Sequence, residues 1–121
     1  MLPQDSVEEL IIVSLENTPS NKKKGIKVDR HTVEAEKDDT IKWQIAKGQS
    51  FEFAVYFSDK RSPFKWFVQD SKNGMISDTI LYNPDTNGAQ KFSYTIIVKE
   101  AGQPTLVLDP DIQVPKPGHR S

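Results

Sequence analysis

The chain contains no cysteine, which removes a large block of chemistry at once: disulfides, thiolate nucleophiles and every cysteine-ligated metal centre. Histidine is nearly as scarce, with His31 and His119 alone. No G-x-S-x-G elbow occurs to partner either of them, and both histidines read as surface or structural. There is no excess of either charge: 16 basic side chains stand against 17 acidic ones, for a net charge of -1. Nucleic-acid binders show a clearly basic domain or face, so no nucleic-acid partner is expected. Long apolar runs are missing too. The longest, Leu10-Ile11-Ile12-Val13, falls far short of the ~20 residues that span a bilayer, and no membrane association is expected. The first residues, Met1 to Glu9, are acidic where a secretory leader is basic and then apolar. With Met1 as the native start, the expected location is the cytoplasm. Helix signals are equally thin. Ser6-Val7-Glu8-Glu9 fits a capping box, but it runs straight into the apolar stretch at Leu10, leaving room for one turn or for a solvated acidic lead-in.

What the chain does have is alternation. Phe51, Phe53, Val55 and Phe57 share one face of an extended segment, with Glu52, Ala54, Tyr56 and Ser58 on the other. The pattern recurs in Ile41, Trp43 and Ile45 against Lys42 and Gln44, and in Phe92, Tyr94, Ile96 and Val98 against Ser93, Thr95 and Lys99. Further strands are expected over Leu10 to Leu15, as a short pair within Ile26 to Glu36, over Thr105 to Leu108 and over Ile112 to Val114. Turn chemistry separates them at residues 17–21, Asn73-Gly74, residues 83–88 and Gly102-Gln103-Pro104. Roughly seven to nine short strands in a chain of domain size predict an all-β, Greek-key, two-sheet β-sandwich. The expected layout is a lead-in over 1–9, one sandwich domain over 10–114 and a frayed tail over 115–121.

The run from Ile26 to Trp43 resembles the opening of a cupredoxin: a short strand, a turn, a V-x-V strand (here Val33-Glu34-Ala35) and a G-D-x-V-x-W strand (here Asp38-Asp39-Thr40-Ile41-Lys42-Trp43). Cupredoxins usually carry Gly before that Asp; this chain has Asp38, which still accepts the left-handed conformation better than most residues. Phe92-Ser93-Tyr94-Thr95-Ile96 resembles the penultimate cupredoxin strand, with Ile96 where the copper proteins have their Cys. The close, Leu106 to Pro115 through Asp109-Pro110-Asp111, is similar to that of bacterial cupredoxin-like proteins without copper. The resemblance implies the fold and not the electron-transfer activity. A blue-copper centre needs a His₂Cys set, and this chain has no Cys, no methionine in a ligand-like position and His31 near the start of a strand. No cofactor is therefore expected. An immunoglobulin-like sandwich is the alternative, because Tyr94 sits where such domains place a tyrosine corner.

Four constellations qualify as candidate sites. Asp109 and Asp111 flank Pro110, and residues two apart in an extended chain lie roughly 6.5 to 7 Å from each other on one side. That suits a weak hard-cation site completed by another loop, or a carboxylate pair, although Asp-Pro-Asp is also an ordinary turn-former. Glu34, Glu36, Asp38 and Asp39 form the densest acidic group and read as a solvated outer face. Lys22-Lys23-Lys24 is too short and too poor in aromatics to anchor on a membrane or nucleic acid. Ser62-Pro63-Phe64-Lys65-Trp66-Phe67 follows a charged loop and holds three aromatics in six residues. Either Phe64 and Phe67 cap one end of the core, or the segment presents Phe64, Trp66 and Phe67, with Trp66 as anchor, to a protein partner. The expected function is a non-enzymatic protein-interaction or structural module without copper, with a homo-oligomer as one form of partnership. The alternative is a carbohydrate- or calcium-binding accessory domain.

Overall fold

The computed structural model describes residues 7–17, 24–57, 61–84, 88–99 and 106–114. The elements formed among them are eleven strands: β1 Glu8–Asn17, β2 Lys24–Val28, β3 Thr32–Glu34, β4 Thr40–Ile45, β5 Glu52–Tyr56, β6 Val68–Asp70, β7 Met75–Thr79, β8 Gln90–Ser93, β9 Thr95–Lys99, β10 Leu106–Leu108 and β11 Asp111–Val114. Among the described residues no helix is long and apolar enough to cross a membrane. Lys22 and Lys23, the 115–121 tail and the 18–21, 85–87 and 102–104 turn residues lie outside the described residues.

One sheet has the order β2-β1-β4-β7, with β1 antiparallel to β2 and parallel to β4. The remaining strands pair as β10-β9-β5-β6 and β3-β11-β8. These last two groups share a register. Leu108 faces Ile96 and Asp111 faces Ser93, which leaves Pro110 opposite Tyr94. Proline has no N–H to give, so the ladder lapses there, but the Tyr94 N–H still donates to the Pro110 carbonyl at 3.0 Å. The pairs β8–β9 and β10–β11 therefore run on as one ribbon, flanked by β3 at one end, through parallel pairing with β11, and by β5 and β6 at the other.

The inward apolar positions of β1, β3, β4, β5, β7, β8, β9 and β11 meet in a single core. Ile11, Val13, Ile41, Trp43 and Ile76 come from the β1 sheet; Val33, Phe53, Val55, Phe92, Ile96, Val98, Ile112 and Val114 come from the others. The chain is all-β and sandwich-like, as the alternation predicts, and the three strongest alternating segments are β4, β5 and β8–β9.

Local chemistry fixes the corners. Asp38 has φ of 76°, the left-handed backbone that its residue type tolerates. Asn73 and Gly74 have φ of 56° and 72°, and Lys72 and Met75 exchange two backbone hydrogen bonds across them, the arrangement of a two-residue hairpin of primed type. A Cβ on Gly74 would meet Ile45 Cδ1 at 2.7 Å, so any other residue there must displace the Ile45 side chain as well as hold a positive φ. Where β1 outruns β4, the Gln49 side chain takes over as a strand: its Oε1 accepts from the Leu15 N–H and its Nε2 donates to the Leu15 carbonyl, both at 2.9 Å.

Three expectations need correction. Glu8 and Glu9 belong to β1, paired with Thr40 and Ile41, and form neither a capping-box turn nor a lead-in outside the domain. Asp39 is buried instead of lying on a solvated face. Its Oδ1 accepts from the Val7 N–H and its Oδ2 from the Glu36 N–H, so it clamps the start of β1 to the turn before β4. Strands β6 and β7 are additional to the expected set.

Candidate functional site

Five rings gather at the level of Trp43: Trp43 itself, Phe57, Phe64, Trp66 and Tyr94. Strand β4, the residue just after β5 and the β8–β9 junction supply Trp43, Phe57 and Tyr94, and the 61–67 segment adds Phe64 and Trp66. The Phe64 and Trp66 rings stack at 4.8 Å and 5°, while the other pairs meet edge-on or tilted. Edge-to-face and offset contacts suit the ring quadrupole, so the cluster is held by geometry as well as by burial.

Its polar atoms are satisfied from within. The Trp43 indole donates to the Tyr94 hydroxyl at 3.1 Å, and the Trp66 indole donates to Asp78 Oδ2 at 2.7 Å. Tyr94 is thus occupied by Trp43, which differs from the main-chain bond of a tyrosine corner. Burial raises the Tyr94 phenol well above its ordinary range; the bond from Trp43 works against that rise and the charge of Asp111 adds to it.

The aromatic segment divides differently from either expectation. Phe64 is the buried cap, Trp66 is partly buried and tied to Asp78, and Phe67 has turned outward at 48% exposure. Phe67 does not stand alone. Val68 and Tyr56, at 52% and 40%, face each other across the β6–β5 pair. Exposed apolar side chains therefore lie at Val68 on β6, at Tyr56 opposite it on β5 and at Phe67 just before it, and β6 is the last strand on its side of the sheet. Tyr56 and Val68 are contributed by the outward positions of an alternating strand and by a three-residue edge. Tyr56 carried a signal, as an aromatic on the polar face of β5, whereas Val68 carried none that separates it from a core position.

Asp109 and Asp111 occupy the outer side of the ribbon. Asp109 is exposed and accepts from the Thr95 hydroxyl at 2.8 Å. Asp111 is only partly exposed, and its Oδ1 is buried with no hydrogen-bond partner. Among the described residues no group of three or more His, Asp or Glu side chains could hold a metal ion. Ile96 is fully buried between Val55 and Leu108, its partners on the neighbouring strands. His31 is exposed on the bend before β3, where its carbonyl accepts from the Asp111 N–H. Two residues with clear jobs, Asp39 and Gln49, had been assigned none by their local sequence, because their partners lie about 30 residues away.

No protein-family model matches this chain, and no curated protein matches its sequence.

Proposed function

We propose that this chain is a copper-less, cupredoxin-like sandwich that works as a non-enzymatic protein-interaction module. The fold part of the reading draws support from the order of elements: the chain leaves β2, bends at 29–31 and enters the opposite group of strands as β3, then returns through the Asp38 turn into the Trp43 strand. The interaction part is carried by one observation, the exposed trio Tyr56, Phe67 and Val68 at a strand edge. Aromatic side chains are the usual anchors of protein contacts.

Native mass spectrometry of the protein isolated from its own cells tests this reading. A protein complex that is lost in the Phe67→Ser, Val68→Ser double variant supports it; the same complex persisting in that variant overturns it. The buried, unpartnered Oδ1 of Asp111 favours a second reading, a calcium-binding accessory domain using Asp109 and Asp111. Calorimetry with Ca²⁺ separates the two, since the first predicts no heat.

A further inference from the structure

Three of the clustered rings, Trp43, Trp66 and Tyr94, are electron-rich enough to give up an electron, and they form a chain. The Trp66 ring lies 6.4 Å from Trp43, and Trp43 lies 5.5 Å from Tyr94, centroid to centroid. Both are direct edge contacts, close enough for an electron to pass from ring to ring. Where an oxidised ring comes to rest is then decided by its proton. An indole or phenol that has lost an electron is a strong acid, and it settles where a base within hydrogen-bond reach takes the proton it releases.

The rings differ in that respect. The Trp43 indole is fully buried and donates to the Tyr94 hydroxyl at 3.1 Å; a hydroxyl accepts the bond but does not keep the proton. Tyr94 is itself buried, and no described residue accepts its own hydroxyl proton. A positive charge on either ring stays in the core with no counter-charge, where it is costly. Trp66 is partly exposed, and its N–H donates to Asp78 Oδ2 at 2.7 Å, a short bond to a carboxylate that the Thr79 N–H holds by its other oxygen. When Trp66 loses an electron and its proton moves along that bond, a neutral radical and a neutral carboxylic acid remain. The tyrosines nearer the surface lack such a base: Tyr56 is 40% exposed with no hydroxyl partner among the described residues, and Tyr82 donates to the Gly88 carbonyl, an amide oxygen.

We infer that Trp66 is the site at which diffusible one-electron oxidants of the carbonate-radical class oxidise this protein, and the resting place of an electron vacancy that begins on Trp43 or Tyr94. The oxidant takes one electron and becomes carbonate. The Trp66 N–H bond breaks, an O–H bond forms on Asp78 Oδ2, and no other bond changes. This site is independent of whatever docks beside Phe67, so either reading can fail without the other.

Flash oxidation of the full chain with photogenerated tris(bipyridine)ruthenium(III), followed by transient absorption, tests the assignment. The neutral tryptophan radical is expected as the first protein product. Trp66→Phe, with its fold checked by circular dichroism, is expected to lower the yield of that radical several-fold. Asp78→Asn keeps the ring and one acceptor but removes the base, so the tryptophan radical cation should last several-fold longer before it loses its proton; if Trp66→Phe does not fold, this variant decides alone. Tyr94→Phe should leave the signal as it is. A tyrosyl radical as the first product, an unchanged yield in Trp66→Phe, loss of the signal in Tyr94→Phe, or deprotonation as fast in Asp78→Asn as in the unaltered chain overturns the inference.

Discussion

Two strands end their sheets close to the 61–67 segment, and they are finished in opposite ways. At the C-terminal end of β7 the molecule closes its own edge: Asp78 Oδ1 accepts from the Thr79 N–H, Asp78 Oδ2 holds the Trp66 indole, and the Pro63 carbonyl accepts from the Leu81 and Tyr82 N–H groups. At β6 nothing described covers the outward groups of Val68 and Asp70, and all three residues of the strand are exposed. The same short segment thus seals one edge with Pro63, Phe64 and Trp66 and leaves Phe67 outside at the other. Sheet edges are normally blunted by charge, brevity or cover. Here β7 has cover, while β6 has brevity and charge alone, which limits indiscriminate pairing without preventing a matched partner.

The difference can be broken from the closed side first. Phe64→Ala removes the ring on which the segment rests and should lower stability by about 3 to 5 kcal/mol, read from urea unfolding. The same cluster sets an alkaline limit. Tyr94 must stay protonated while folded, because its folded value is raised above that of the unfolded chain. Its contribution is complete below pH about 10 and is lost as pH climbs beyond it. Unfolding midpoints should accordingly be flat through neutral pH and fall above that point, and Tyr94→Phe should soften the fall. Asp78→Ala strips the Trp66 and Thr79 bonds together and should destabilise by about 2 kcal/mol, with Asp78→Asn milder because one acceptor survives. Trp66 fluorescence should report both changes. Smallest of all are changes on the open side: Phe67→Ser and Val68→Thr should move stability by no more than about 0.5 kcal/mol. A large loss from either one would mean that β6 is held by contacts resembling those of β7, and the contrast would vanish.

How much of this could be read from the chain depends on how local the cause is. The core strands announce themselves because alternation is a property of neighbouring residues, and the Asn73-Gly74 and Asp38 corners because positive φ is a property of residue type. β6 stayed hidden because all of its residues are exposed, so no alternation exists to detect. β7 stayed hidden because Asp78 interrupts Ile76 and Ile80, and its reason for being there is Trp66, 12 residues earlier. Asp39 looked like one more surface carboxylate; only the arrival of Val7, 32 residues away, makes it a buried clamp. For the site, the aromatic segment was legible as something that must be packed, but which ring faces water was decided by the stacking of Trp66 on Phe64 and its tie to Asp78. The Asp109 carboxylate likewise takes its partner, the Thr95 hydroxyl, from β9, a contact that its spacing from Asp111 does not announce.

The parallel pairing of β3 with β11 has a consequence in time. Residues 32–34 find their neighbour only at 111–113, and β1 finds β4 only after some 30 intervening residues. Loop-closure entropy must be met before either pairing gives anything back, so the domain belongs among the slow folders of its size. During synthesis Val33 waits beside an open position until almost the whole described chain has emerged. Until β11 arrives, the nascent protein has a second uncovered edge besides β6, and this one is meant to be filled by its own chain.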